Sequence, residues 1–374
     1  MRDLAERAEG RASVAAVLGA LLLAEPGSAL ADRVRGVPRL AALADTATAV
    51  DYERIFLRAV PPYESVFLSV DGRRGGSVAA AVSGEFDDLG FGEHAGSEWR
   101  AAGADHLGLE LRAHAHLVAR EAAAWSADRP DEAAERVVEQ RGFLAEHLAR
   151  WADPCLAALA AHAVDTPYAD VVAAAREFMA REVDALRPMP LLDGAAIIVD
   201  EPSPLPGPGR LTRHLLSFAA SGMWLDAGDI EASARSLGFP WRPMDGRGRL
   251  RQLVGAAHEA GEMAALVRPW VAVARRAANE HVEREARQPG AGAWWRECAM
   301  RSRATVALLE RVEADGLAGD ARDVVLLAVP GDRLGDALEA LSLAGVPCEP
   351  AGEGHTSGGI GTMVGETTMD GSDQ

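Results

Sequence analysis

Lysine is missing from this 374-residue sequence, and all 38 basic positions are arginine. Codon usage explains that gap more simply than function does. Acidic residues outnumber the arginines, 56 to 38, for a net charge of −18. That excludes sequence-independent binding to nucleic acid or to an anionic membrane, which needs a basic face. Cys155, Cys298 and Cys348 are the only cysteines. They lie far apart with no C-x-x-C, so neither a disulfide framework nor a zinc site is indicated, and a reducing cytoplasm fits. Long apolar runs are absent too. Val14 to Ala24 (VAAVLGALLLA) follows Arg7 and Arg11 and imitates a secretory signal. However, Asp3, Glu6 and Glu9 spoil the basic leader, Glu25-Pro26 closes the run, and it is too short to span a bilayer. A buried first helix is expected there, with no membrane insertion.

Chemical signatures are equally scarce. No nucleophile elbow, Walker loop or dinucleotide fingerprint occurs, and Gly331 to Gly335 (GDRLG) lacks the Lys-Ser/Thr of a phosphate loop. Arg73-Arg74 is internal, with no long apolar run after it, so it does not read as an export signal. His106, Glu110 and His114 fall at i, i+4 and i+8 on one helix face. This alternative, a metal-dependent helical enzyme, is weakened by the roughly 12 Å that eight residues span along a helix. No enzyme, metal or other cofactor is expected.

What the sequence does contain is alanine, leucine and valine at helical spacing, which favours helices over sheets. Segments near 2–24, 28–57, 75–87, 105–127, 131–151, 154–163 and 167–186 read as helices. Glu85 to Ser97 reads as a loop, and Asp153-Pro154 as a helix restart, with Asp as cap and Pro in the first turn. The expected organisation is a helical domain over 1–190, a Pro-rich linker over 191–210, a mostly helical extension over 211–350 and a disordered tail over 351–374. Val324 to Val329 reads as a strand, with Ala195 to Val199 as its candidate partner. Trp294-Trp295 reads as core preceding a last long helix.

Against 5% aromatics overall, Asp51 to Phe67 (DYERIFLRAVPPYESVF) holds four. Tyr52, Ile55 and Phe56 form a helical stripe, Pro61-Pro62 stops the helix, and Tyr63, Glu64 and Phe67 begin the next segment. Spacing alone admits either a packed elbow or a surface that receives another chain. Phe143 to Trp151 (FLAEHLARW) gives a core stripe of Leu144, Leu148 and Trp151, with His147 beside it in reach of an acid on another helix.

Taken in order, these stretches resemble the TorD/DmsD-like chaperones of molybdoenzyme maturation, the TorD/NarJ group. The opening helix with LLLAEP, Tyr52-x-x-Ile55-Phe56, PPYESVF, Gly103-Ala104-Asp105-His106 and FLAEHLARW carry the likeness over about residues 10 to 190. The family's acid four residues before Tyr52 is Thr48 here, and the proline before Asp-His is Ala104. The resemblance implies an all-α, TorD-like bundle. It also implies a cytoplasmic, non-catalytic chaperone that binds the N-terminal or twin-arginine leader region of a molybdopterin oxidoreductase of the dimethyl-sulfoxide-reductase type. Such a chaperone holds the apo-enzyme for cofactor insertion; monomer and homodimer both remain open. On that reading Glu64 and Asp105 meet the leader's arginines. Tyr52, Phe56, Tyr63 and Phe67 supply apolar area, and His106 orients Asp105. Pro61, Pro62, His147 and Trp151 are structural.

Overall fold

The computed structural model describes residues 1–23, 34, 49–69, 72–91, 103–185, 206–240, 246–317, 324–330, 348–350 and 360–366. The first half is helical: α1 (Arg2–Leu23), α2 (Ala49–Tyr52), α3 (Glu64–Leu68), α4 (Gly76–Asp88), α5 (Leu107–Ser126), α6 (Pro130–Phe143), α7 (Ala149–Ala163) and α8 (Tyr168–Asp184). Two π-helical turns interrupt it, Glu53–Ala59 after α2 and Leu144–Leu148 between α6 and α7. Helices continue as α9 (Pro208–Leu216), α10 (Phe218–Ser221), α11 (Ala227–Ser236), α12 (Gly246–Ala260), α13 (Met263–Arg287) and α14 (Gly292–Asp315). No helix among the described residues is long and apolar enough to cross a membrane.

The first helix packs, as its alanine and leucine content suggests. Leu18, Leu21 and Leu22 are buried with Ile55, Phe56, Leu107, Trp151 and Tyr168 in one core. Its crossing with α5 is close enough to require glycine on both sides. A Cβ on Gly19 would lie 2.6 Å from the Gly108 carbonyl oxygen, and one on Gly108 would lie 2.5 Å from that of Gly19. Tyr52 then donates its hydroxyl to the Leu23 carbonyl at 2.7 Å, satisfying an acceptor that the end of α1 leaves open. A second core gathers Leu211, Leu250, Val254, Leu266, Trp270 and Leu309.

The two halves share contacts. Phe218, Trp294, Trp295 and Cys298 belong to the first core. The expected restart at Asp153-Pro154 is not observed: α7 runs through Pro154. A proline inside a helix leaves the carbonyl four residues earlier without its donor. Here Trp294 Nε1 donates to the Arg150 carbonyl at 2.8 Å, so the helix can continue. Asp153 does not cap. It binds Arg176 at 3.1 Å and also Arg284 of α13. Trp294 and Trp295 lie in the first turn of α14 rather than before it.

Two other expectations change. Glu85 to Asp88 is the last turn of α4, not loop, while 92–97 lies outside the described residues. Three strands, β1 (Val324–Pro330), β2 (Cys348–Pro350) and β3 (Ile360–Glu366), form an antiparallel sheet in the order β1-β3-β2. The partner of β1 is thus a piece of the tail expected to be disordered. Ile360, Thr362 and Val364 are β-branched residues at alternate positions, which suits a strand. Ala195 to Val199 and most of the Pro-rich segment lie outside the described residues.

The glycine crossing gives a direct test. Gly19→Val or Gly108→Val is expected to cost about 2–3 kcal/mol or more, read from urea midpoints, because backbone must move to admit the side chain. Gly10 lies in the same α1, and a Cβ there would meet nothing within 4 Å. Gly10→Ala should therefore gain about 0.5–1 kcal/mol.

Candidate functional site

Pro61 and Pro62 end the π-helical turn and send the chain back across the start of α5. Leu107 N donates to the Pro62 carbonyl at 2.9 Å, and Glu64 N donates to the Asp105 carbonyl at 2.8 Å. Tyr63 and His106 thereby form an antiparallel bridge. The residue before α3, Tyr63, offers no side-chain cap. Asp105 serves instead from across the chain: its Oδ2 accepts Ser65 N at 3.1 Å and also the Ser65 hydroxyl. A carboxylate at a helix N-terminus suits both the open N–H groups and the helix dipole. Ser65 Oγ in turn accepts Gly75 N at 2.9 Å, which ties in the start of α4.

His106 caps α5. Its Nδ1 accepts Gly108 N at 3.0 Å, so the proton of the neutral ring sits on Nε2. Burial, followed by the nearby Arg74 guanidinium, lowers its pKa to about 3. Its ring meets that of Tyr63 edge-on at 4.9 Å, and the Arg74 guanidinium lies over Tyr63 at 4.0 Å.

Behind the bend lie two more carboxyl groups. Glu64 Oε2 pairs with His147 Nδ1 at 2.9 Å, the acid on another helix that the spacing of FLAEHLARW puts within reach. Trp151 Nε1 donates to Glu110 Oε2 at 3.2 Å. Burial pushes the Glu110 carboxyl well up, and the negative charges of Glu64 and Asp105 push the same way. For His147, burial acts to lower the pKa, but the bond to Glu64 and the charges of Glu64, Glu85 and Glu146 outweigh it and raise it.

All seven side chains read as a receiving surface are buried, and Tyr52 is the most exposed of them at 8%. Tyr52 stacks on Phe56 at 5.0 Å, Phe56 meets Tyr168 edge-on at 5.1 Å, and Phe67 stacks on Trp224 at 4.6 Å. Spacing shows which residues share a face but not what covers it, and the C-terminal half covers Phe67. Pro62, His147 and Trp151 are also buried, and Pro61 is half-buried. The three members of the metal alternative diverge: His106 caps α5, Glu110 faces Trp151, and His114 Nε2 pairs with Glu182 Oε2 at 2.9 Å. No cluster able to hold a metal ion occurs among the described residues.

What is open lies just outside the bend. A groove of about 570 Å³ has Phe56, Leu57, Pro61, Tyr63 and Val66 on one side. Leu216, Trp224, Leu225, Ala227 and Ile230 form the other side, and Arg58, Arg73 and Arg74 also line it. Leu57 is 56% exposed. One signal for this groove was present in the sequence and missed: Leu57 is an apolar residue off the Tyr52–Phe56 stripe. The opposite wall had none, since it comes from about 160 residues further along.

Glu182 anchors a second polar group, where Arg11 Nη2 reaches it at 2.7 Å and Glu121 at 3.3 Å from Nη1. Burial alone would raise the Glu182 carboxyl, but His114 and Arg11 hold it at about 2. Its stabilisation is present above the unfolded value near 4.5 and is lost as pH falls through about 2. Glu110 works oppositely: its contribution is complete below 4.5 and is lost as pH rises toward its elevated pKa. Urea midpoints against pH should therefore show a shallower acid limb for Glu182→Gln. Glu110→Gln should lose less stability than wild type as pH rises above about 4.5. Unchanged limbs would contradict these assignments.

Residues 18–157, somewhat over a third of the chain, match the family model described as the nitrate reductase delta subunit. No curated protein and no solved structure matches the chain. The matched segment runs from α1 through the first half of α7 and contains the bend, its Asp105 clamp, and the Glu64–His147 and Glu110–Trp151 pairs. Residues 18–157 are therefore similar to the nitrate reductase delta subunit family, whose members are NarJ/TorD-type chaperones that act with a molybdoenzyme catalytic subunit during its maturation.

Proposed function

We propose that the protein is a cytoplasmic, non-catalytic chaperone dedicated to one client, an apo molybdopterin oxidoreductase subunit of the dimethyl-sulfoxide-reductase type. It binds the client's N-terminal region, including a twin-arginine leader where one is present, and holds the subunit for cofactor insertion before assembly or export. The observation that supports this most is the open apolar groove that has one wall on the family-matched segment, beside Tyr52-x-x-Ile55-Phe56 and the Pro61-Pro62 bend. An exposed apolar cleft is unfavourable to leave facing water unless a partner covers it.

Glu64, Asp105 and His106 act here as positioning residues. Asp105 holds α3 against α5, Glu64 anchors it to His147, and His106 starts α5. Of the four aromatic expectations Phe56 and Tyr63 line the groove, and Tyr63 also meets His106 in this interior. The surplus of acidic residues over the whole surface would speed encounter with a basic leader.

Affinity purification of the tagged full-length protein from its native cytoplasm, with bound chains identified by mass spectrometry, tests the reading. A cofactor-free molybdopterin oxidoreductase is the expected catch. Leu57→Asp, at an exposed groove position, should lower its recovery about tenfold or more, the scale of losing one interface anchor. Finding no oxidoreductase under conditions where apo-enzyme accumulates would overturn the proposal.

A further inference from the structure

We propose that the seam between the two halves is a binding site for a small organic phosphate, distinct from the client groove. A cleft of about 400 Å³ opens there, lined by α7 and α8 from the first half and by α10, α11 and α13 from the second. All five helices lie within the described residues. Small ligands favour clefts between packed units, and this volume falls in the ~300–1,000 Å³ range they occupy.

Three carboxylates line the cleft, and each is engaged. Asp226 pairs with His162 at 3.0 Å and accepts Asp229 N at 2.7 Å, while Asp229 returns the bond to Asp226 N in a capping box. Glu280 takes Arg284 at 3.2 Å. Asp153, next to the cleft residue Pro154, holds both Arg284 and Arg176.

The arginines are less fully used. Arg284 is spent on Asp153, His281 and Glu280. Arg176, however, reaches Asp153 through Nε alone, at 3.1 Å. Arg287 holds only Glu283 of its own helix, in an exposed pair that water and salt weaken. Arg276 makes no hydrogen bond or ion pair among the described residues and acts only through its charge on Asp229. Three guanidiniums with donors to spare thus share one cleft. A doubly charged oxyanion with three acceptor oxygens suits them better than a single carboxylate does.

The remaining walls suit an organic body. Ala157, Ala158 and Ala161 come from α7, and Val273 and Ala277 from α13. Trp224 also lines the cleft, and its indole N–H is buried without a partner. An acceptor on a ligand would remove that cost. Because Trp224 lines the client groove as well, the two sites share a wall.

Calorimetric titration of the full-length protein with phenyl phosphate, inorganic phosphate and benzoate tests the proposal. Phenyl phosphate should bind at one site, at least threefold tighter than inorganic phosphate, which lacks the apolar body, and at least tenfold tighter than benzoate, which carries one charge. Arg276→Glu should weaken it at least tenfold. Arg303→Glu makes the same change of charge at an exposed position outside the cleft and should leave affinity within twofold. Neither arginine has a hydrogen-bond partner to lose, so both variants should keep the wild-type urea midpoint. No saturable binding of phenyl phosphate, equal losses in the two variants, or equally tight binding of inorganic phosphate or benzoate would overturn the proposal. It stands or falls independently of the chaperone reading.

Discussion

One oxygen of Asp105 accepts both the backbone N–H and the hydroxyl of Ser65, and much of the family-matched half is arranged around that contact. The bond supplies α3 with the N-terminal acceptor that its own preceding residue lacks. It fixes α3 to the start of α5, which His106 caps and which Gly108 allows to cross α1 at backbone contact. It also leaves a carboxylate with little solvent, whose charge adds to burial and to Glu64 in raising the pKa of the neighbouring Glu110, while Glu64 pairs with His147. Buried carboxyls of this kind persist where their partners are satisfied. The bend at Pro61-Pro62 is thus held from inside, and its outer surface is left free to form a groove.

The C-terminal half is joined to this frame through shared core residues and a few specific polar contacts. Pro154 withholds a backbone donor and Trp294 replaces it. Asp153, beside it, receives Arg176 from its own half and Arg284 from the other. Gly222 makes a close approach of its own: at φ +68, a Cβ there would lie 2.6 Å from the Cys298 carbonyl oxygen. His281 and Ser302 both donate to the Gly222 carbonyl, at 2.7 and 2.8 Å. These contacts place Trp224 on Phe67 and bring α11 to the groove. The extension therefore takes part in the surface that a client would meet.

Much of the helical plan was legible in the sequence because alanine- and leucine-rich periodicity is a local signal. The Tyr52–Phe56 stripe, the Pro61-Pro62 stop and the reach of His147 to an acid all follow from spacing. The π-helical turns at Glu53–Ala59 and Leu144–Leu148 were not legible, since the extra residue per turn is set by packing rather than by composition. Pro154 misled for a related reason: its compensating donor lies 140 positions away. β3 escaped notice because its strand character depends on pairing with β1. Most consequentially, residue type marked Glu64 and Asp105 as partners for an arginine-bearing peptide, but only the tertiary structure reveals that Ser65 and His147 already occupy them.

The central claim is that the bend is an internal clamp whose outer groove, walled by both halves, is the contact surface. Hydrogen–deuterium exchange of the full-length protein with and without purified apo-client tests it most directly. Protection gathered in the peptides spanning 54–69, 72–74 and 216–230, with α1 and α5 unchanged, is the predicted result. Protection along the outer faces of α1 and α5, with 216–230 unaffected, would contradict it.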